Sequence, residues 1–355
     1  MRQFIKRSYY YVNVTQPIAE GNKMKTGIVL EGGAMRGMFT AGILDVFMEK
    51  GIVFDCAVGV SAGATFGINL KSHQIGRTLR YNKKYCRDKR YGGLRSLIRT
   101  GDIYNAKFDY DDIPNRLDPY DVEAHRANSM EFWITATDVD TGRPVYHRLD
   151  KGDGEDITWL RASASMPGVS NVVHCRGESI IGRIPFAKPG KTGESDITAA
   201  VRLIDKPDYK INGNYDIIDC EGMGFLDGGM SDSVPVKFAE DLGCDRILVI
   251  CTQPYGYRKK KNSMMPILKH LLKDYPELVK TMAERHIMYN AEMDYLDRCA
   301  ESEPDRIRVI RPSEALNIKK VVHDPKEIQR VYDIGYKEGL KRAAEIGRFA
   351  AADKL

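Results

Sequence analysis

The sequence has no long apolar run. Nothing in its 355 residues approaches the 18 or more consecutive apolar positions of a membrane-crossing helix. Residues 1–25 carry basic side chains but lack the apolar core and small-residue cleavage site of a secretory signal. Net charge is also scarce. A formal +5 gives mild attraction to anionic surfaces and excludes the strongly basic face of a nucleic-acid binder. The seven cysteines contain no C-x-x-C pair, which argues against a disulfide framework and for free thiols in a reducing compartment. No His/Cys/Asp spacing resembles a metal site, so no metal is expected, and there is no internal repeat. What is present is a 43% apolar composition, enough for a large core in one or two domains. A mean hydropathy of −0.40 fits a globular chain, and a cytoplasmic enzyme is the default. Residues 1–24 read as a loosely attached arm, with Met24 an alternative start.

The order of elements points to an α/β fold. Thr26-Gly27-Ile28-Val29-Leu30-Glu31 predicts a buried first strand, followed by the Gly-rich turn Gly32-Gly33-Ala34-Met35-Arg36-Gly37 and a helix over 38–50. A second apolar run over 54–60 leads into Gly59-Val60-Ser61-Ala62-Gly63 and a helix to about residue 70. Strand, turn, helix, strand, turn, helix implies a mainly parallel central sheet flanked by helices. Residues 71–120 are polar and read as solvated helix and loops over one end of the sheet. Further strands are expected at 131–138, 223–227, 245–251 and 306–310, with helices over 156–166 (Asp156 as N-cap), 236–242 and 264–300. A final helix opens at Asp324-Pro325-Lys326-Glu327, with Pro at N1 and a capping-box Glu. Residues 176–219, rich in Gly and Pro, read as an irregular insertion or small β excursion. The domain reading is an arm over 1–24, a catalytic domain over 25–311 and a helical segment over 312–355 packed on it.

Three stretches carry chemistry. A Ser between Gly59 and Gly63 at a strand-to-helix turn is the pattern of a nucleophile elbow, which leaves the Ser61 hydroxyl exposed above the sheet edge. The turn at Gly32, Gly33 and Ala34, running through Arg36 to Gly37, presents free N–H groups at a helix start and is suited to a negative charge. A dinucleotide site needs Gly where Ala34 stands and an acidic residue where the Ser61 elbow lies, so an oxyanion site is the better reading. Ser61 needs a base. Among the histidines only His323, just before a helix cap, is a contender. Asp227, in Asp227-Gly228-Gly229 at a strand end, is able to take the Ser proton directly; the plain alternative is an Asp-Gly turn.

In this order and context, the Gly-rich loop, the Ser61 elbow and Asp227-Gly228-Gly229 resemble the patatin-like phospholipase family, closest to its bacterial members. Leu160-Arg161-Ala162-Ser163-Ala164-Ser165-Met166-Pro167 and Thr135-Ala136-Thr137-Asp138 add to the resemblance, which spans residues 25–251. It implies a three-layer architecture, a Ser61–Asp227 dyad without His, and an oxyanion hole from the amides of Gly32, Gly33 and Ala34. Arg36, Gly37, Gly59, Gly63, Gly228 and Gly229 would be supporting motif residues. The implied reaction is hydrolysis of fatty acyl esters of lipids through an acyl-enzyme, with no metal or organic cofactor. Ala34 stands where many members have a third Gly, and the 176–219 segment is longer than usual. The alternative function is a catalytically weak lipid- or acyl-binding protein with a vestigial site; nucleotide binding is a distant third.

Lipid substrates imply peripheral contact with a membrane surface. Arg258-Lys259-Lys260-Lys261 with Met264, Met265, Ile267, Leu268, Leu271 and Leu272 would provide cations and an apolar stripe. The plainer reading is a basic loop before a helix packed on the core.

Overall fold

The computed structural model describes residues 24–185 and 215–351. Among these residues ten strands join in one sheet. In chain order they are β1 Thr26–Leu30, β2 Cys56–Val60, β3 Glu131–Asp138, β4 Pro144–Arg148, β5 Val173–His174, β6 Glu178–Gly182, β7 Tyr215–Asp219, β8 Gly224–Asp227, β9 Arg246–Ile250 and β10 Ile307–Ile310. The helices are α1 Gly37–Glu49, α2 Ala62–Lys71, α3 Arg77–Tyr85, α4 Leu94–Thr100, α5 Val122–Ala127, α6 Glu155–Ala164, α7 Val236–Asp241, α8 Met265–Leu271, α9 Pro276–Ser302 and α10 Pro325–Ala351. All but Met24 of the expected 1–24 arm, and the middle of the expected 176–219 insertion, lie outside the described residues. The two ends of that insertion that are described belong to the antiparallel pair β6–β7.

The strands β10-β9-β1-β2-β3 run parallel, and β4, β6 and β7 extend the sheet antiparallel. Consecutive residues of the parallel strands enter different cores. Ile28, Leu30, Ala57, Ile134 and Leu248 pack under α1, α2, α6 and α10, whereas Val29, Val58, Trp133, Ile247 and Val249 pack under α7 and α9. Two-sided burial is why these strands read as continuous apolar runs, and it makes the architecture three layers. Helix α10 lies directly on α1: a methyl on Gly335 would come within 1.9 Å of the Phe39 carbonyl oxygen.

Several expectations are corrected. Residues 71–120 are more than solvated helix and loops. They hold α3, α4 and a wide π-type helical segment, Phe108–Leu117, around an apolar cluster of Tyr85, Tyr91, Phe108 and Ile113. Asp156 is not the N-cap of α6; Gly154 holds that position, and Asp156 accepts the N–H groups of Lys151 and Gly152 at 2.7 Å each. Glu327 pairs with Arg330 rather than completing a capping box. The 264–300 stretch is two helices, because Pro276 begins a new one.

Candidate active site

The register of the sheet brings Ser61 and Asp227 together. Ala136 of β3 pairs with Val145 of β4 on one edge, so its pairing with Asp227 of β8 must use the other edge. That other edge is occupied by β2 up to the Val60–Thr135 pair. Strand β2 runs parallel to β3 and β8 antiparallel to it, so their C-terminal ends meet head-on beside Ala136. Ser61 Oγ donates to Asp227 Oδ2 at 2.8 Å, a contact between residues 166 positions apart in the chain.

Backbone shape holds the serine. Ser61 sits at φ 54°, ψ −119°, a conformation costly for a side-chain-bearing residue and typical of a turn held by its surroundings. The turn packs so closely that a methyl on Gly63 would meet the Leu30 carbonyl oxygen at 2.2 Å, and one on Gly228 the Thr135 oxygen at 2.1 Å. Gly59 lies within β2 against Gly63 and Ala64, and Gly37 opens α1 against Ala62 and Phe66. A methyl on Gly32 would touch the Ser61 Cβ at 3.0 Å, so the Gly-rich loop lies beside the hydroxyl. Ala34 adopts φ 48°, the left-handed region. Among the described residues the N–H groups of Gly32, Gly33 and Ala34 donate to no other group, and they precede the start of α1. Free amides at a helix start can stabilise negative charge. Arg36 Nε donates at 3.3 Å to Thr252 Oγ1, which in turn lies against the Gly32–Gly33 backbone.

Asp227 is 5% exposed. Its Oδ1 accepts the Gly229 N–H at 2.8 Å, and its own N–H donates to the Ser165 carbonyl at 2.8 Å. Burial pushes its carboxyl above the ordinary range; the Arg285 guanidinium, the Ser61 hydroxyl and the Gly229 N–H oppose that rise. A hydroxyl donating to a buried carboxylate of raised basicity is arranged for direct proton transfer.

Two supports escaped the sequence reading. Ser163 of α6 accepts the Ser61 N–H at 3.0 Å and donates to the Thr135 carbonyl at 2.7 Å, which pins the elbow to β3. Its segment carries part of the family resemblance, but a buried serine gives no sign of its partner. Arg285 of α9 lies on the far side of Asp227, where a methyl on Gly229 would meet its Nη2 at 3.0 Å. Its Nε is buried without a partner among the described residues. No local pattern marks it, since an arginine between Glu284 and His286 on a helix reads as solvated. His323 is elsewhere: its Nδ1 donates to the Cys86 carbonyl at 2.6 Å, and the ring lies against Gly93.

A cavity opens from Ser61. Its walls come from Ala34, Met35, Phe66, Leu160 and Met166, and continue into residues of α3 and of the π-type segment.

The model of the patatin-like phospholipase family matches residues 28–240. The chain belongs to the patatin-like phospholipase family. This is a lipid acyl hydrolase family, and the match contains Ser61, Asp227 and the Gly-rich loop. A second match, to a domain of unknown function (DUF6363), covers residues 275–351 and so contains Arg285 and α10. An uncharacterized protein of Escherichia coli (strain K12), YjjU, is 26% identical over 233 residues, 65% of this chain and 52% of its own. The patatin-like chain thus spans about half the length of that relative. The crystal structure of VipD from Legionella pneumophila aligns with 91% of this chain and 67% of its own at 12% identity and a TM-score of 0.38, too low for functional comparison.

Proposed function

We propose that the protein is a serine acyl hydrolase that cleaves fatty acyl esters of lipids on a Ser61–Asp227 dyad. The observation that carries this reading is the 2.8 Å hydrogen bond from Ser61 Oγ to a buried Asp227. Asp227 takes the Ser61 proton as Oγ attacks the ester carbonyl, and the amides of Gly32, Gly33 and Ala34 receive the developing oxyanion. When the carbonyl re-forms, the C–O bond to the alcohol breaks and Asp227 returns the proton to the leaving oxygen. Water then attacks the acyl-enzyme, with Asp227 again as base, and releases the fatty acid. No step calls for a histidine, a metal or an organic cofactor.

Exposed apolar side chains beside two exposed lysines support the same reading, as a surface able to dock on lipid. Helix α8 divides its apolar residues: Met265, Leu268 and Leu272 pack inward, while Met264, Ile267 and Leu271 are exposed. Leu94 and Ile98 of α4 are exposed as well. The two helices flank the 168–171 turn, Leu268 against Gly168 on one side and Gly101 against Asn171 on the other. Within the basic loop, Arg258 pairs with Asp294 and Lys259 turns over the Tyr289 ring, leaving Lys260 and Lys261 exposed toward anionic head groups.

A fluorophosphonate probe tests the function. It should label Ser61 in the wild-type chain and nothing in Ser61→Ala. The vestigial-site reading draws on the left-handed Ala34, and an unlabelled Ser61 would favour it.

A further inference from the structure

The cavity that begins at Ser61 runs into a group of tyrosines with an unpaired acid among them. Asp109, on the π-type segment Phe108–Leu117, lines it together with Tyr81, Tyr91, Tyr104 and Tyr110. Both Asp109 carboxyl oxygens are buried and have no hydrogen-bond partner among the described residues. An unpaired buried carboxyl is costly, and buried acids are ordinarily matched by a cation or by donors.

Among the described residues, the arginines around this end of the cavity already have other partners. Arg77 gives its guanidinium to the Asp118 carbonyl and to Asn69 Oδ1, with the Asp118 carboxylate at 3.3 Å. Arg161 pairs with Asp102 at 3.2 Å, and Arg90 with Asp88 at 2.8 Å. Nor do the tyrosine hydroxyls serve Asp109. That of Tyr91 donates to Asn82 Oδ1 and that of Tyr104 to the Lys320 carbonyl. These two therefore offer the cavity ring surface, and Asp109 lies within electrostatic reach of all four phenols.

We infer that the Asp109 end of this cavity is a cage for an organic ammonium group, carried by the ester that Ser61 cleaves. Aromatic rings around an acid form the arrangement that holds such cations, because ring quadrupoles and the carboxylate act in the same sense in a desolvated site. Burial, with a smaller contribution from Asp88, pushes the Asp109 carboxyl well above the ordinary range. An arriving ammonium supplies the missing counter-charge. A plain alkyl terminus would leave the carboxyl unpaired. The link to ester cleavage rests on the hydrolase reading; the cation site itself does not.

Calorimetric titration of the full chain compares choline with 3,3-dimethylbutan-1-ol, which has the same shape with carbon in place of the charged nitrogen. Choline is expected to bind at least about tenfold tighter. In Asp109→Asn, which keeps the size of the side chain, the discrimination should fall to within about twofold. Tyr104→Leu should weaken choline at least about threefold, a second variant in case the first does not fold. Equal binding of the two alcohols, binding of neither, or full discrimination in Asp109→Asn would overturn the cage. A separate arm compares kcat/KM for acyl esters of the same two alcohols. If choline binds but neither ester is cleaved and Ser61 resists the fluorophosphonate, the hydrolase reading fails and the cage stands.

Discussion

The two halves of the candidate site are built from different materials. Around Ser61 the structure is almost entirely backbone. Glycines allow chain segments to approach within contact distance, and the 32–34 loop, whose amides donate to no other group among the described residues, lies beside a serine held in a strained turn. Behind Asp227 the structure is buried charge. Arg285 opposes the desolvation of Asp227, Tyr289 donates to Glu31 Oε1 at 2.9 Å, and the Lys259 ammonium sits 4.1 Å from the Tyr289 ring centroid. Burial pushes Lys259 down to about 7, and burial beside Asp232 lifts Glu292 well above the carboxylate range. One half fixes geometry with few ionisable groups. The other surrounds a single carboxylate with buried ionisable groups, of which Arg285 acts most strongly on Asp227 itself.

Removing either reacting group should break both halves at once. Ser61→Ala and Asp227→Asn are each expected to lower ester turnover by about 10³-fold or more, measured with a short-chain p-nitrophenyl ester. His323→Ala, which removes a ring bonded to the Cys86 carbonyl and not to either member of the pair, should stay within about twofold of wild type in the same assay. Comparable loss in all three variants would return a histidine to the mechanism.

The backbone half alone is tested by Gly63→Ala, whose added methyl would stand 2.2 Å from the Leu30 carbonyl oxygen. Denaturant unfolding should show a loss of about 3 kcal/mol, near the upper end for overpacking because backbone rather than a flexible side chain must yield.

The charged half alone is tested by Arg285→Met. Asp227 must be ionised to act as base, so activity falls as pH drops through its pKa, which burial already raises. Loss of the neighbouring cation raises that pKa further, so the acid limb of kcat/KM should move upward by about one pH unit. Arg285→Lys should move it less. An equal fall at every pH, with no movement of the limb, would mean that Arg285 only supports packing.

The smallest expected effect concerns Ala34. At φ 48° a side chain is strained, and Ala34→Gly should stabilise the fold by about 1 kcal/mol by thermal or denaturant unfolding. Destabilisation would mean that the alanine methyl contributes more to the packing beside Ser61 than it costs in strain.

Much of the fold was legible because its signals are local. The parallel strands announced themselves as apolar runs, being buried on both faces, and Ser61 announced itself through Gly59 and Gly63. Residues 71–120 were misread because their apolar cluster is largely tyrosine, and the Arg, Lys and Asp around it outweigh the rings in any compositional view. Arg285 was invisible for a related reason: on its own helix nothing distinguishes it from a solvated arginine.

The sequence by itself determined the turns, the strands and the identities of Ser61 and Asp227 as candidates. Such features depend on which backbone angles and which burial each residue type tolerates, a property of a few neighbouring positions. Tertiary structure alone decided that β2 and β8 meet end to end beside Ala136, that Arg285 backs the carboxylate from a helix outside the patatin-like match, and that both Asp109 carboxyl oxygens are buried with no hydrogen-bond partner among the described residues. Electrostatic interaction and desolvation depend on distances between groups remote in the chain, and those distances exist only once the sheet has closed.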